Sequence, residues 1–151
     1  MTLDEIVNKT RKAIQKISDT NSAIWHTTEW NICHHLACKL AKEFNDFDVD
    51  VELEKIDLRR PDIVIHKRGN NENNLVIFQV KKRPLLLGIK TDIKKIEDTF
   101  FIKPYKYCYG IFISIGELPK KLPVFDIDRI RIIEVYGWKI IQTNLDQQKI
   151  R

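Results

Sequence analysis

The chain has 151 residues, of which 43% are hydrophobic and 31% are charged, and it carries a formal net charge of +5. This composition fits a single globular domain over residues 1–151 and excludes a disordered or fibrous chain. The three cysteines form no disulfide framework, no apolar run is as long as a membrane span, and the polar N-terminus lacks the apolar core of a signal peptide. We therefore expect a cytoplasmic protein with free thiols and no membrane partner. The basic balance is compatible with nucleic-acid binding but does not establish it.

The first two predicted elements are helices. Apolar residues at helical spacing predict an N-terminal helix over about residues 2–18, and residues 19–22 indicate a break. A second helix is predicted from about Thr27 to Phe44, with Thr27 or Thr28 as its N-cap. One apolar stripe runs along this helix and consists of Ile32, Cys33, Leu36, Ala37, Leu40 and Phe44.

Short β segments follow the helices. The predicted strands are residues 49–53, 62–66, 75–81, 107–115, 130–136 and 139–142. An asparagine-rich segment at 67–74 joins the second and third of them and predicts a hairpin. A helix is predicted over about 91–101, the strand 107–115 is apolar on both faces and should be central, and 119–123 is predicted as a loop. This order predicts an α/β fold with a mixed β-sheet flanked by helices.

The hairpin brings polar side chains together at one end. Centring its turn within residues 69–74 places Asp62 opposite Lys81 and Val64 opposite Gln79, although a β-bulge would change this register by one residue. Side chains alternate along a strand, so an acid, an amide and an ammonium group should share one face.

Glu29 adds a second carboxylate from the preceding helix. It lies three residues before Ile32 and four before Cys33, which places it at the N-terminal end of the apolar stripe, facing the core. A carboxylate in that position needs a cation or hydrogen-bond donors. If the helix packs on the sheet, Glu29 lies near Asp62 and Lys81.

These segments resemble a known superfamily. The sequence RPDIVI at residues 60–65, FQVK at 78–81 and the upstream Glu29 are similar to the PD-(D/E)XK superfamily of restriction-endonuclease-like nucleases, over about residues 27–115. The resemblance implies a restriction-endonuclease-like mixed sheet flanked by helices. It also implies divalent-metal-dependent hydrolysis of phosphodiester bonds, with DNA the first expected substrate and RNA the second.

The resemblance also assigns roles to the site residues. Asp62 would anchor Mg²⁺ or Mn²⁺, and Glu29 would bind it directly or through water. Gln79 would offer its side-chain oxygen and Val80 its backbone carbonyl. Lys81 would orient the attacking water or stabilise the developing charge.

One position departs from the family pattern. Gln79 stands where the superfamily usually has an acid, and an uncharged amide should bind metal more weakly. The alternative is therefore a catalytically inactive nucleic-acid-binding or protein-interaction module on the same fold. Metal-dependent cleavage discriminates between the two hypotheses.

The residues after the candidate site are basic. We interpret four of them as phosphate-binding groups, the alternative being a solvated charged face: Arg83, Lys90, Lys94 and Lys95. The sequence suggests no separate recognition domain, so sequence-specific cleavage would need a homodimer or a recognition partner. The three tryptophans are interpreted as packing residues rather than base-stacking platforms: Trp25, Trp30 and Trp138.

Overall fold

The structure is a computed structural model that describes residues 1–54, 59–69, 71–136 and 139–142, the last segment as backbone. Its elements in chain order are α1 (Leu3–Asn21), a 3₁₀ turn (Ser22–His26), α2 (Glu29–Glu43), β1 (Asp48–Val51), β2 (Ile63–His66), β3 (Val76–Lys82), α3 (Leu86–Lys95), a π-helical turn (Ile96–Phe100), β4 (Tyr109–Ile115), β5 (Ile130–Tyr136) and β6 (Lys139–Gln142). The predicted order of helices and strands is confirmed. Residues 119–123 form a loop, as predicted.

Both N-terminal helices begin at side-chain caps. Thr2 accepts a hydrogen bond from the Glu5 N–H at 3.3 Å, and Glu5 Oε2 accepts one from the Thr2 N–H at 2.6 Å, which completes a capping box for α1. Thr28 caps α2 by accepting from the Asn31 N–H at 3.2 Å. The predicted break after α1 begins at Ser22, three residues later than expected, because the helix continues to Asn21.

The third helix begins earlier than predicted. It begins at Leu86 rather than near residue 91, and its last turn widens into a π-helical turn. Its first turn carries exposed leucines in place of the buried stripe, so the apolar periodicity becomes visible only from Ile89 onward. The predicted strand over 49–53 is also shorter, since β1 ends at Val51 and Glu52 has a φ of 50°.

The six strands form one mixed sheet in the order β1-β2-β3-β4-β5-β6. The β3–β4 and β4–β5 pairs are parallel, and the other pairs are antiparallel. Residues of α1 and α2 pack on one face with Ile63, Val80 and Ile113. Residues of α3 pack on the other face with Val64 and Ile77. This is the α/β arrangement predicted from the sequence, with β4 as a buried strand inside the sheet.

The hairpin register differs from the prediction by two residues. Val64 pairs with Ile77, not with Gln79, so the predicted pairing of Asp62 with Lys81 is wrong as well. The segment between the strands ends with Asn74, which lies outside β3 but is buried, and its amide donates to the Tyr105 carbonyl at 2.5 Å. A change of two residues preserves the side-chain face. Asp62, Gln79 and Lys81 consequently still lie on the α3 side of the sheet.

Close packing between α3 and the sheet depends on one glycine. A Cβ added at Gly110 in β4 would lie 2.9 Å from Ile96 Cγ2 and 3.4 Å from Ile130 Cγ1. The missing side chain lets the π-helical turn lie directly on the sheet. All three cysteines are free thiols, as expected, and among the residues described no helix is long and apolar enough to cross a membrane.

Candidate active site

The candidate site lies at the carboxyl end of β3, where Asp62 meets the strand. Asp62 immediately precedes β2, and its Oδ2 accepts a hydrogen bond from the Val80 N–H at 2.7 Å. Extending the observed hairpin register by one pair sets Asp62 opposite Gln79. The carboxylate is thus held against the middle of the FQVK segment.

Burial and neighbouring charges together set the pKa of the Asp62 carboxyl group. Burial raises the pKa of its carboxyl group from 3.8 to about 6, and the Val80 N–H and the Lys81 charge oppose this rise. The nearby charges of Asp92 and Glu29 raise the pKa further. Asp62 therefore remains protonated to a higher pH than an exposed aspartate, until a cation offsets its charge.

Lys81 connects the two helices that flank the site. Its Nζ lies 3.7 Å from Glu29 Oε2 on α2 and 4.0 Å from Asp92 Oδ2 on α3. The Lys81 side chain is 37% exposed, so the ammonium group borders solvent. Lys81 thus lies near Glu29 and Asp92, and its charge also lowers the pKa of Asp62, although Lys81 and Asp62 are not the predicted cross-strand pair.

Glu29 lies at the strand end instead of inside the core. Its Oε1 accepts a hydrogen bond from the Lys82 N–H at 3.1 Å, and 42% of its side chain is exposed. Glu29 is the first residue of α2, so it lies beyond the buried part of the apolar stripe. The expectation that Glu29 faces the core is therefore wrong, although it lies at the N-terminal end of the stripe as predicted.

Gln79 is almost completely buried. It is 2% exposed, and its Nε2 has no hydrogen-bond partner within the described ranges. An unpaired buried amide costs free energy, on the order of 1–3 kcal/mol. Turning the amide by 180° exchanges Oε1 and Nε2 and would present an oxygen in the same place. In that orientation an acceptor oxygen occupies the position that has no partner among the described residues.

Asp92 is a site residue that sequence reasoning missed. Its side chain is 14% exposed, and burial raises the pKa of its carboxyl group while Lys81 and Lys95 lower it. Its Oδ2 is buried and, within the part of the chain that the structure describes, accepts no hydrogen bond. The signal was available: Asp92 lies three residues after Ile89 and one before Ile93, so it shares the apolar stripe of α3 as Glu29 shares that of α2.

The charges and donor atoms of this cluster suit a hard divalent cation. Three carboxylates face one ammonium group, and a buried amide and a buried carboxylate oxygen both lack hydrogen-bond partners among the described residues. Among those same residues, no three His, Cys, Asp or Glu side chains are arranged as a metal-binding group. Magnesium is commonly held by one or two carboxylates together with waters and substrate phosphates. The chemical types of these donors, carboxylate and amide groups, therefore suit magnesium or manganese.

The four predicted phosphate-binding residues divide into two groups. Arg83 and Lys90 are exposed, and Lys94 is 74% exposed with its Nζ 4.0 Å from Asp98 Oδ2. Lys95 instead has a partner at the surface of the protein, since its Nζ donates to the Arg60 carbonyl at 3.3 Å. Arg83, Lys90 and Lys94 are thus available to an external anion, whereas Lys95 is engaged within the protein.

Comparison of the chain with protein-family models, with curated proteins and with solved structures finds no match. The resemblance to PD-(D/E)XK nucleases therefore remains a prediction from the sequence motif.

Proposed function

We propose that this protein is a divalent-metal-dependent nuclease that hydrolyses phosphodiester bonds, with DNA as the first substrate to test. One observation carries the proposal: the Lys81 ammonium lies between Glu29 and Asp92, in a cluster with a buried Asp62 whose pKa is raised to about 6. A buried carboxylate with a perturbed pKa and a cationic neighbour is typical of functional sites. The restriction-endonuclease-like fold is part of the same proposal, because the order α2, hairpin, α3 and β4 agrees with it.

Asp62 and Gln79 would hold Mg²⁺ or Mn²⁺, with Glu29 as a direct or water-mediated ligand and the Val80 carbonyl as a further candidate. When bound, the cation lowers the pKa of a water molecule and offsets charge on the phosphate. Gln79 supports this assignment only after a 180° turn of its amide, which would put Oε1 rather than Nε2 at the position that has no partner among the described residues.

Lys81 would act on the reacting phosphate. Its ammonium group is held from two sides by the Glu29 and Asp92 carboxylates, which restricts the positions available to the flexible lysine chain. A positioned ammonium donor stabilises negative charge that develops in a transition state. Glu29 and Asp92 would then position Lys81, while the exposed Arg83 and Lys90 would hold neighbouring phosphates without reading the base sequence.

The test is cleavage of labelled single-stranded and duplex DNA with Mg²⁺, with Mn²⁺ and with a chelator. We expect metal-dependent cleavage by the unmodified protein and its loss in Asp62→Ala and in Lys81→Ala. Matched controls are Asp46→Ala and Lys42→Ala, which change exposed residues outside the cluster and should retain activity. Circular dichroism checks that each variant is folded.

Two outcomes would contradict the proposal. Full activity of purified Asp62→Ala would exclude Asp62 as the anchor of the metal. Binding of nucleic acid by the unmodified protein without cleavage in either metal would favour the inactive binding module.

Sedimentation of the protein with and without DNA tests whether cleavage involves a homodimer, and added partners test for a separate recognition protein.

A further inference from the structure

Trp30 is exposed next to the candidate site. Its relative exposure is 57%, whereas Trp25 is 4% exposed, so the interpretation of Trp30 as a packing residue is wrong while that of Trp25 is confirmed. Trp138 lies outside the described residues. A large aromatic side chain left in water is unusual enough to indicate a binding surface when it adjoins a functional site.

The position of Trp30 ties it to the candidate active site. It follows Glu29 directly, and consecutive Cα atoms are about 3.8 Å apart. Its ring meets the ring of His34, one helical turn further along α2, with centroids 4.1 Å apart and planes at 64°. This edge contact supports the indole against the helix. The His34 ring therefore supports the exposed indole of Trp30, and Trp30 is adjacent in the sequence to the candidate site residue Glu29.

A second apolar group lies on the other helix. Leu85, Leu86 and Leu87 are 78%, 41% and 74% exposed at the start of α3. Leu85 comes three residues after Lys82, whose N–H donates to Glu29. Three residues span at most about 11 Å. Trp30 and Leu85–Leu87, which we call the apolar rim, therefore approach the end of β3 from α2 and from α3.

Basic residues flank the leucines of the apolar rim in the sequence. Lys82 extends across toward α2, where its Nζ donates to the Thr27 carbonyl at 2.6 Å. Arg83 and Lys90 are exposed on either side of the leucines. Apolar and aromatic side chains beside cations are the pattern of proteins that bind single-stranded nucleic acid, in which cations follow the backbone and aromatic rings stack on bases. A duplex would contact the cations through its phosphates but would not stack on the aromatic ring, because its paired bases are already stacked on one another.

We propose that the apolar rim takes unpaired bases next to the phosphate at the site, so that the preferred substrate is a single strand or the single-stranded end of a duplex. This inference depends on the proposed nuclease function and specifies its substrate. Trp30 provides the stacking surface, and the exposed leucines contact the adjoining unpaired base or separate the duplex beyond it.

The experiment measures fluorescence anisotropy of a labelled oligonucleotide about 16 nucleotides long, single-stranded or as a blunt duplex of the same sequence, in chelator so that no cleavage occurs. We expect the unmodified protein to prefer the single strand. Trp30→Ala should weaken single-strand binding by about 5- to 150-fold and duplex binding little, because one stacked base is lost. Trp30→Phe should retain most of the affinity. Ile102→Ala, a change at another exposed apolar residue on the loop leading into β4, should have no effect.

Five results would overturn the inference, and they separate it from the proposed function. Equal binding of single strand and duplex, or an unaffected Trp30→Ala, would refute the stacking role and leave the nuclease proposal intact. Equal weakening of both ligands by a folded Trp30→Ala would indicate a structural role only. A monomer–dimer change in Leu85→Ser/Leu87→Ser with unchanged oligonucleotide binding would show that the leucines form a protein interface. No binding of either oligonucleotide would contradict this inference and the proposed nuclease together.

Discussion

Asp62→Asn should make the protein more stable at neutral pH. The carboxyl group of Asp62 has a pKa raised from 3.8 to about 6, so between these values the folded state binds a proton that the unfolded state has released. The free energy of unfolding therefore falls as pH rises through this window, and the loss is complete above about pH 6. A shift of this size corresponds to about 3 kcal/mol at 1.36 kcal/mol per pKa unit.

Asparagine keeps the geometry and removes the charge. Its side-chain oxygen still accepts the Val80 N–H, while repulsion from Glu29 and Asp92 disappears. The stability difference between variant and unmodified protein should be near zero at about pH 4. It should grow to as much as about 3 kcal/mol by pH 7.5, or about 6–12 °C in Tm for a domain of this size.

The assay is urea unfolding followed by circular dichroism, repeated from pH 4 to pH 7.5 with Asp46→Asn as the exposed-aspartate control. Addition of Mg²⁺ should stabilise the unmodified protein at neutral pH and leave Asp62→Asn nearly unchanged, because a ligand stabilises only a state that binds it. An Asp62→Asn variant that is no more stable at pH 7.5, or whose advantage does not vary with pH, would refute the reasoning.

Three further predictions concern single residues around the site. Gln79→Glu should lower the Mg²⁺ concentration needed for half-maximal binding, because it adds a charged oxygen beside Asp62, and titration calorimetry showing equal or weaker binding would count against Gln79 as a ligand. Lys94→Ala should weaken binding to unrelated DNA sequences alike and reduce the logarithmic salt slope by about one, and an unchanged slope in an anisotropy salt series would remove Lys94 from the DNA-binding surface. Gly110→Ala should destabilise the fold by about 1–3 kcal/mol because its Cβ would lie 2.9 Å from Ile96 Cγ2, and unaltered urea unfolding would show that the π-helical turn can move away.

Much of the fold is predictable because periodicity is a local property of the chain. The strands β5 and β6 have the bounds expected from their apolar pattern, and both Thr28 and the stripe of α2 are where the sequence places them. Registers depend on contacts between distant residues, and these are not visible in a local pattern. Asn74 belongs to a segment that its composition predicts as a turn, but its amide donates to the Tyr105 carbonyl, 31 positions along the chain. A local pattern does not show this contact.

The site was partly predictable for the same physical reasons. The carboxylates of Glu29 and Asp92 both interrupt an apolar stripe, so helical spacing indicates both positions. Trp30 could not be judged from residue type, because a tryptophan is usually buried. Its exposure follows from its position one step round the helix from Glu29, outside the stripe that meets the sheet.

The packing of α1 against the last parallel strand affects synthesis of the chain. Ile17 in α1 and Ile133 in β5 belong to one apolar cluster, and Arg131 Nη2 lies 3.7 Å from Asp4 Oδ1. More than a hundred residues separate these partners, so translation at about 5–20 residues per second leaves roughly 6–23 s between them. During that interval α1 packs against α2 and the strands already made but not against β5, and we expect chaperones to shield the face of α1 that β5 later covers.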